Sequence, residues 1–232
     1  MALDLLLDDS IKLVTLVGKA GTGKTLLSIA AGLRKVTEEF VYKKMLVSRP
    51  VFPMGKDLGF LPGDVDQKLA PYMQPIYDNI EYLMSGQVAP KVKTIKPSKR
   101  LTKADKKAND DYEEKEYGRM EKGHMELVSA GIMEVEALTY IRGRSIPNQY
   151  MIIDEAQNLT PHEIKTIVTR AGTGTKLVFT GDPAQIDNPY LDASSNGLTY
   201  LVERMKNEPI AAHISLAHGE RSELAEIASN VL

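Results

Sequence analysis

The amino-acid sequence predicts an α/β fold, in which a mostly parallel β-sheet carries helices on both faces. Short apolar runs alternate along the chain with longer helix-favouring stretches, the order expected of such a sheet. Glycine-rich or acidic residues follow several of these runs directly, as where ligand loops leave the carboxyl ends of parallel strands. A chain of 232 residues is long enough for one core of this kind.

The first half of the chain begins with a short helical stretch and leads to a long helix. The expected elements are a helix end within 1–10, a strand at 13–17, a helix to about 36, a strand at 44–48, a Gly- and Pro-rich loop at 51–64, and a helix at 65–84. We expect bends in that last helix at Pro71 and Pro75, because proline lacks the N–H that the helix needs.

The second half repeats the alternation of strand and helix. The expected elements are a strand within 131–138, a strand at 150–153, a helix from 160 to about 170, a strand at 176–180, a helix at 194–206, a strand at 213–216 and a helix at 222–231. Thr160, Pro161 and Glu163 predict the start of the 160–170 helix, since they form a capping box with proline in the first turn.

Composition excludes several classes of protein. No run of 18 apolar residues occurs, so we expect no membrane span, and acidic Asp4 stands where a signal peptide would be basic. With no cysteine, the chain has no disulfide or thiolate metal site, which fits a cytoplasmic location. The net charge of −2 gives no overall bias toward nucleic acid.

Residues 86–127 differ in composition from the rest of the chain. Lys91 to Lys107 holds eight Lys or Arg and one Asp, and Asp110 to Glu116 is mainly acidic. Such a segment buries little apolar surface, so it is predicted to be a charged surface insertion within a single domain spanning 1–232. It is either a solvated arm or an arm that contacts nucleic acid through phosphates.

The strongest motif lies between the first strand and the long helix. It matches the P-loop pattern at every position: Gly18, Lys19, Ala20, Gly21, Thr22, Gly23, Lys24 and Thr25. The flanking strand and helix favour a phosphate loop over a glycine-rich turn without a ligand. Lys24 would reach the β- and γ-phosphates of ATP, and the Thr25 hydroxyl would ligate Mg²⁺.

An acidic pair follows the strand at 150–153. Asp154 would hold Mg²⁺ through water opposite Thr25, and Glu155 would orient the attacking water or accept its proton. Alone, such a pair is more often a helix cap; combined with a P-loop about 130 residues earlier, it indicates a hydrolytic site.

Two glutamines stand near these motifs. Gln185, in the stretch 180–185 that follows the strand at 176–180, would sense the γ-phosphate or the water. Gln157 would do the same or bridge to nucleic acid. Either can instead be an amide that structures its loop.

Together these motifs resemble motifs I, II and III of superfamily 1 helicases, and residue by residue they most resemble the PhoH-like ATPase family. Further similar blocks are 48–50, 59–63, 69–79, 140–144 and 219–222. The resemblance covers nearly everything except about 86–127. It implies a RecA-like P-loop NTPase core, a hexameric ring and single-stranded RNA as partner.

Within the family, the chain looks most like the ATPase half of fused PIN–PhoH proteins, whose amino-terminal PIN domain is a ribonuclease. Only 17 residues precede Gly18, too few for a nuclease, so we expect the PIN domain to be absent. Either the chain is an excised domain or the nuclease is lacking, and RNA cleavage is not carried over.

A single core lacks the arginine that a second helicase core supplies. We therefore expect a neighbouring copy to supply it in a head-to-tail ring. The arginines considered are Arg49, Arg142, Arg144, Arg170 and Arg221. Arg221 is favoured and Arg142 comes second, because both lie in blocks that resemble the family, although any one of them can be a surface ion pair.

The resulting prediction is Mg²⁺-dependent ATP hydrolysis coupled to RNA binding or unwinding in a ring. One alternative is a nucleotide-gated RNA-binding module that hydrolyses slowly. Another is a P-loop kinase, which fits less well because the 86–127 insertion does not resemble an arginine-bearing lid.

Overall fold

The computed structural model describes residues 1–50, 65–86, 124–141 and 143–219. Its strands are β1 (Leu13–Gly18), β2 (Lys44–Arg49), β3 (Met133–Ala137), β4 (Gln149–Ile153), β5 (Lys176–Gly181) and β6 (Ala211–Leu216). The helices are α1 (Ala2–Leu7), α2 (Lys24–Thr37), α3 (Val65–Gly86), α4 (124–129), α5 (Pro161–Val168) and α6 (Gly197–Met205). Two short 3₁₀ helices span Leu138–Ile141 and Ala156–Asn158.

The six strands form one sheet in the order β3-β2-β4-β5-β1-β6, and every neighbouring pair is parallel. All six carboxyl ends therefore lie at the same edge of the sheet, which we call the carboxyl edge. The loops after β1, β4 and β5 leave from this edge, which is where ligand loops are expected.

Alternate side chains along the strands build two cores, one on each face of the sheet. On one face, Val14 and Ile152 pack with α1, α2, α3 and α4. On the other face, Leu13 and Ile153 pack with α5 and α6. The predicted α/β fold with helices on both faces is confirmed.

Most predicted elements within the described residues lie where the sequence places them; most differences are at element ends, and α4 and the two 3₁₀ helices are additional elements. Helix α6 starts at Gly197 rather than at Ser194, because the Asn196 side chain accepts a hydrogen bond from the Thr199 N–H and caps the helix there. Before it, the Asp192 carboxylate accepts from the N–H of Ser194 and forms a turn. The capping box predicted at Thr160 and Glu163 is present.

The boundary of the charged segment differs from the prediction. Residues 124–127, expected to be surface, belong to α4; Leu127 is buried in the first core, and the His124 ring lies 4.8 Å from the ring of Tyr77 on α3. Leu127 lets α4 pack although the segment is rich in charge, whereas Met125 and Val128 on the same helix are exposed. Residues 87–123, the loop predicted at 51–64 and the helix predicted at 222–231 lie outside the described residues.

Within the described part of the chain, no helix combines the length and the apolar character that a membrane crossing requires.

Candidate functional site

The P-loop connects β1 to α2 at the carboxyl edge. Gly21 and Gly23 have φ values of 81° and 78°, which side-chain-bearing residues rarely adopt. Gly18 is required for a different reason: a Cβ there would lie 2.6 Å from the carbonyl oxygen of Leu216 on β6. Since α2 begins at Lys24, the loop also receives the positive end of a 14-residue helix dipole.

Lys24 folds back over this loop. Its Nζ donates hydrogen bonds to the carbonyl oxygens of Gly18 at 2.6 Å and Lys19 at 2.9 Å, and the residue is 9% exposed. The ammonium is thus held beside the glycine backbone, where a P-loop lysine meets the phosphates.

Asp154 and Thr25 meet across the sheet, although 129 positions separate them along the chain. The Thr25 hydroxyl donates to Asp154 Oδ1 at 2.8 Å. The Thr180 hydroxyl donates to the same oxygen at 2.5 Å. Thr180 lies on β5, the strand between β1 and β4, so it links the two motifs from the middle.

The oxygen donors of Thr25 and Asp154 fit Mg²⁺. Magnesium prefers hard oxygen ligands and keeps several waters, so one hydroxyl and one carboxylate suffice. No group of three or more His, Cys, Asp or Glu positioned to hold a metal occurs among the residues that the structure describes. The donor set therefore suits a nucleotide-bound magnesium ion better than an all-protein metal centre.

Glu155 is fixed by both its backbone and its side chain. Its φ of 53° lies in the left-handed region, which costs a residue other than glycine about 1–3 kcal/mol. Arg49 Nη2 donates to Oε1 at 3.3 Å and Gln157 Nε2 donates to Oε2 at 2.6 Å. Burial, followed by the charge of Asp154, raises the pKa of Glu155, and Gln157, Arg49 and Lys24 oppose that rise.

Gln157 and Gln185 have different surroundings. Gln157 is fully buried, and its amide also donates to the Gln185 carbonyl at 2.8 Å and accepts from the Asp182 N–H at 3.1 Å. Gln157 therefore has the contacts expected of an amide that structures its loop. Gln185 itself is exposed, and the hydrogen bonds found for it involve its backbone.

Of the five arginines considered for a role in a neighbouring copy, the three that the structure describes lie in different places. Arg49 lies in the site of its own chain, with Nη1 3.9 Å from Asp154 Oδ2. Arg144 pairs with Glu136 at 3.1 Å, and Arg170 lies just beyond the carboxyl end of α5. Arg142 and Arg221 lie outside the described residues.

Sequence reasoning missed two contributors to this arrangement. Thr180 was not singled out, and Arg49 was considered only for a neighbouring copy. Arg49 is the last residue of β2, beside β4, and Thr180 is the last but one of β5, beside β1 and β4. The signal in the sequence was therefore a polar residue at the end of an apolar run.

A parallel sheet with a P-loop after its first strand and an acidic pair at the end of another defines a P-loop nucleotide-binding protein. The chain belongs to the PhoH family: the family model described as "PhoH-like protein" matches residues 2–230.

Two curated relatives are named Protein PhoH2. The one from Bacillus subtilis (strain 168) is 50% identical over 234 residues, which are 100% of this chain and 46% of the relative. The one from Mycolicibacterium smegmatis is 36% identical over 233 residues, which are 100% of this chain and 45% of the relative. The chain thus spans about half the length of the curated relatives it matches.

Among solved structures, the chain resembles the Pif1 helicase from Candida albicans with a TM-score of 0.39 and 16% identity. That match covers 98% of this chain and 41% of the other. A likeness this low carries no argument about function.

Proposed function

We propose that this chain hydrolyses ATP in a Mg²⁺-dependent reaction coupled to single-stranded RNA, within a homo-oligomeric ring that we expect to be hexameric. The observation that carries the hydrolytic part is the contact between Thr25 of the P-loop and Asp154, with Glu155 next in the chain. That contact joins a phosphate site, a pair of magnesium-compatible oxygens and a carboxylate base at one edge of the sheet.

The chemistry is in-line attack of water on the γ-phosphate. The loop N–H groups and Lys24 bind the phosphates, and Thr25 and Asp154 would hold the ion, which neutralises phosphate charge when bound. Glu155 orients the water and takes its proton. A raised pKa makes this carboxylate a stronger base than an ordinary glutamate.

The alternative, a nucleotide-gated RNA-binding module that hydrolyses slowly, differs from this proposal in one measurable way: RNA would bind to it without stimulating turnover.

Support for the RNA and the ring comes mainly from the family resemblance. One surface feature adds to it: Tyr190, in the loop after β5, is 90% exposed, and exposed aromatic rings stack on bases.

The first test is Lys24→Ala, with Lys43→Ala as a control at an exposed lysine before β2. We expect Lys24→Ala to lower kcat for ATP by at least about 100-fold, because it removes a cation from the developing phosphate charge, while circular dichroism shows an intact fold. Lys43→Ala should leave turnover unchanged. Retained turnover in Lys24→Ala would overturn the assignment.

The second measurement is phosphate release with and without single-stranded RNA or single-stranded DNA of matched length. Stimulation by RNA supports coupled hydrolysis. Binding of both ATP and RNA without any stimulation would favour the slow binding module.

A further inference from the structure

Arg49 is the last residue of β2, and the sheet places it beside the acidic pair. Strand β2 pairs with β4, with Ser48 opposite Ile153, so the next residues along the two strands are Arg49 and Asp154. The Asp154 N–H also donates to the Ser48 carbonyl at 2.9 Å, which extends the pairing to the start of the site. Backbone pairing, rather than a long flexible reach, brings the arginine to this position.

The guanidinium reaches two carboxylates at once. Nη2 is 3.3 Å from Glu155 Oε1, and Nη1 is 3.9 Å from Asp154 Oδ2. The side chain of Arg49 is 22% exposed and that of Asp154 is 6% exposed, so solvent screens this group only partly. Arginine suits the position because its planar fork directs donors at two acceptors, which a lysine ammonium does not.

With Gln157 on the other oxygen of Glu155, both carboxylate oxygens accept a hydrogen bond. The direction of the Glu155 carboxylate is therefore set by Arg49 from β2 and by Gln157 from the 3₁₀ helix that follows Glu155. Losing Arg49 would free Oε1 while leaving the P-loop and the Thr25–Asp154 contact in place.

We propose that Arg49 is a positioning residue for Glu155 and acts on the nucleotide site of its own chain. This inference rests on the proposed ATP hydrolysis and replaces, for Arg49, the expected role in a neighbouring copy. The arginine that orders the base thus comes from the same sheet that carries the P-loop.

The test compares the wild type with Arg49→Ala, Arg49→Lys and the control Arg34→Ala, an exposed arginine on α2 that pairs with Glu39. We expect Arg49→Ala to lower kcat about 100-fold with KM for ATP within about threefold, because it misplaces the base without removing phosphate contacts. The kcat of Arg49→Lys should lie between those of the wild type and Arg49→Ala, and the kcat of Arg34→Ala should equal that of the wild type. A wild-type kcat in Arg49→Ala, or a loss confined to KM, would overturn the inference.

Mixing distinguishes action within a chain from action between chains. Lys24→Ala and Arg49→Ala are combined in equal amounts, and turnover is measured for each alone and for the mixture. If Arg49 acts within its own chain, every chain in the mixture carries one defect and turnover is not restored. Restored turnover would show that Arg49 serves a neighbour and would overturn the inference.

The results also distinguish failure of this inference from failure of the proposed ATP hydrolysis. A wild type that hydrolyses ATP, with an unaffected or complementing Arg49→Ala, rejects only the role of Arg49. A wild type that hydrolyses no ATP with or without RNA rejects the proposed function and this inference with it.

Discussion

Lys176, at the amino end of β5, is a lysine with no exposed surface. Its Nζ donates to the carbonyl oxygens of Leu5 and Asp8, each at 2.8 Å, where α1 ends and leaves carbonyls without helical partners. Burial lowers the pKa of Lys176 to about 8, although the charge of Asp9 opposes the change. The lysine therefore fastens α1 to the sheet from inside the fold.

The lowered pKa predicts a pH dependence of stability that Lys176→Met would remove. Between the folded-state pKa of about 8 and the ordinary lysine pKa of 10.5, the unfolded chain binds a proton at Lys176 that the folded chain has lost. The contribution of Lys176 to the free energy of unfolding is thus lowest below pH 8 and rises between pH 8 and 10.5. Relative to Lys176→Met, we expect the wild-type free energy of unfolding to rise by about 1–3 kcal/mol between pH 7.5 and 10.

Urea titrations at several pH values measure this difference, since pH effects elsewhere are common to both proteins and cancel. A difference that stays constant across the window would mean that Lys176 titrates alike in the folded and unfolded chains.

Residues whose positions in the fold follow from local spacing could be placed from the sequence. The eight P-loop positions are contiguous, and Asp154 and Glu155 follow an apolar run directly. Thr180 and Arg49 could not be assigned in this way, because their positions depend on which strands are neighbours. Nothing local to Arg49 indicates that β2 pairs with β4.

At the scale of elements, the 3₁₀ helix Ala156–Asn158 holds the loop that follows β5. Gln157 binds the backbone of Asp182 and Gln185. Asn158, which is 2% exposed, accepts the N–H of Asp187 at 2.7 Å and that of Asn188 at 3.3 Å. Consecutive side chains next to Glu155 thus fix two parts of one loop.

Replacing Asn158 by alanine should destabilise this loop and the whole fold. The change leaves two backbone N–H groups without an acceptor, and an unpaired buried donor costs about 1–3 kcal/mol. We expect the free energy of unfolding in urea to fall by that amount, and hydrogen exchange to speed up at Asp187 and Asn188. Asn207→Ala, at an exposed position, is the matched control. Equal stability of the two variants would show that the loop does not depend on Asn158.

Element types could largely be predicted because apolar periodicity and caps are local signals. The Thr160 capping box fixed one helix start correctly. The start of α6 was misplaced by three residues, because Ser194, Ser195 and Asn196 are all good cap residues and only the fold selects Asn196. Strand order is set by long-range pairing and has no comparable signal.

For the whole molecule, the central question is what assembly contributes. We expect a ring because one core lacks a second arginine-bearing core, and Arg49, which contacts Glu155 of its own chain, leaves that role to Arg221 or Arg142 of a neighbouring copy. A second reason is that several copies together would hold an RNA strand. The two roles are measured by different rates on dilution.

We therefore expect two responses when the protein is diluted below the concentration at which it assembles. Turnover per chain without RNA should fall as the assembly dissociates, because a neighbouring copy is expected to supply the arginine that stabilises the phosphate charge. Stimulation by RNA should fall as the assembly dissociates, since fewer linked sites hold the strand. Analytical ultracentrifugation with and without Mg·ATP gives the assembly state, for which we expect six chains, and a coupled assay at matched concentrations gives both rates. An RNA-free rate per chain that stays constant on dissociation would mean that one chain forms a complete site and would contradict the expected arginine from a neighbour.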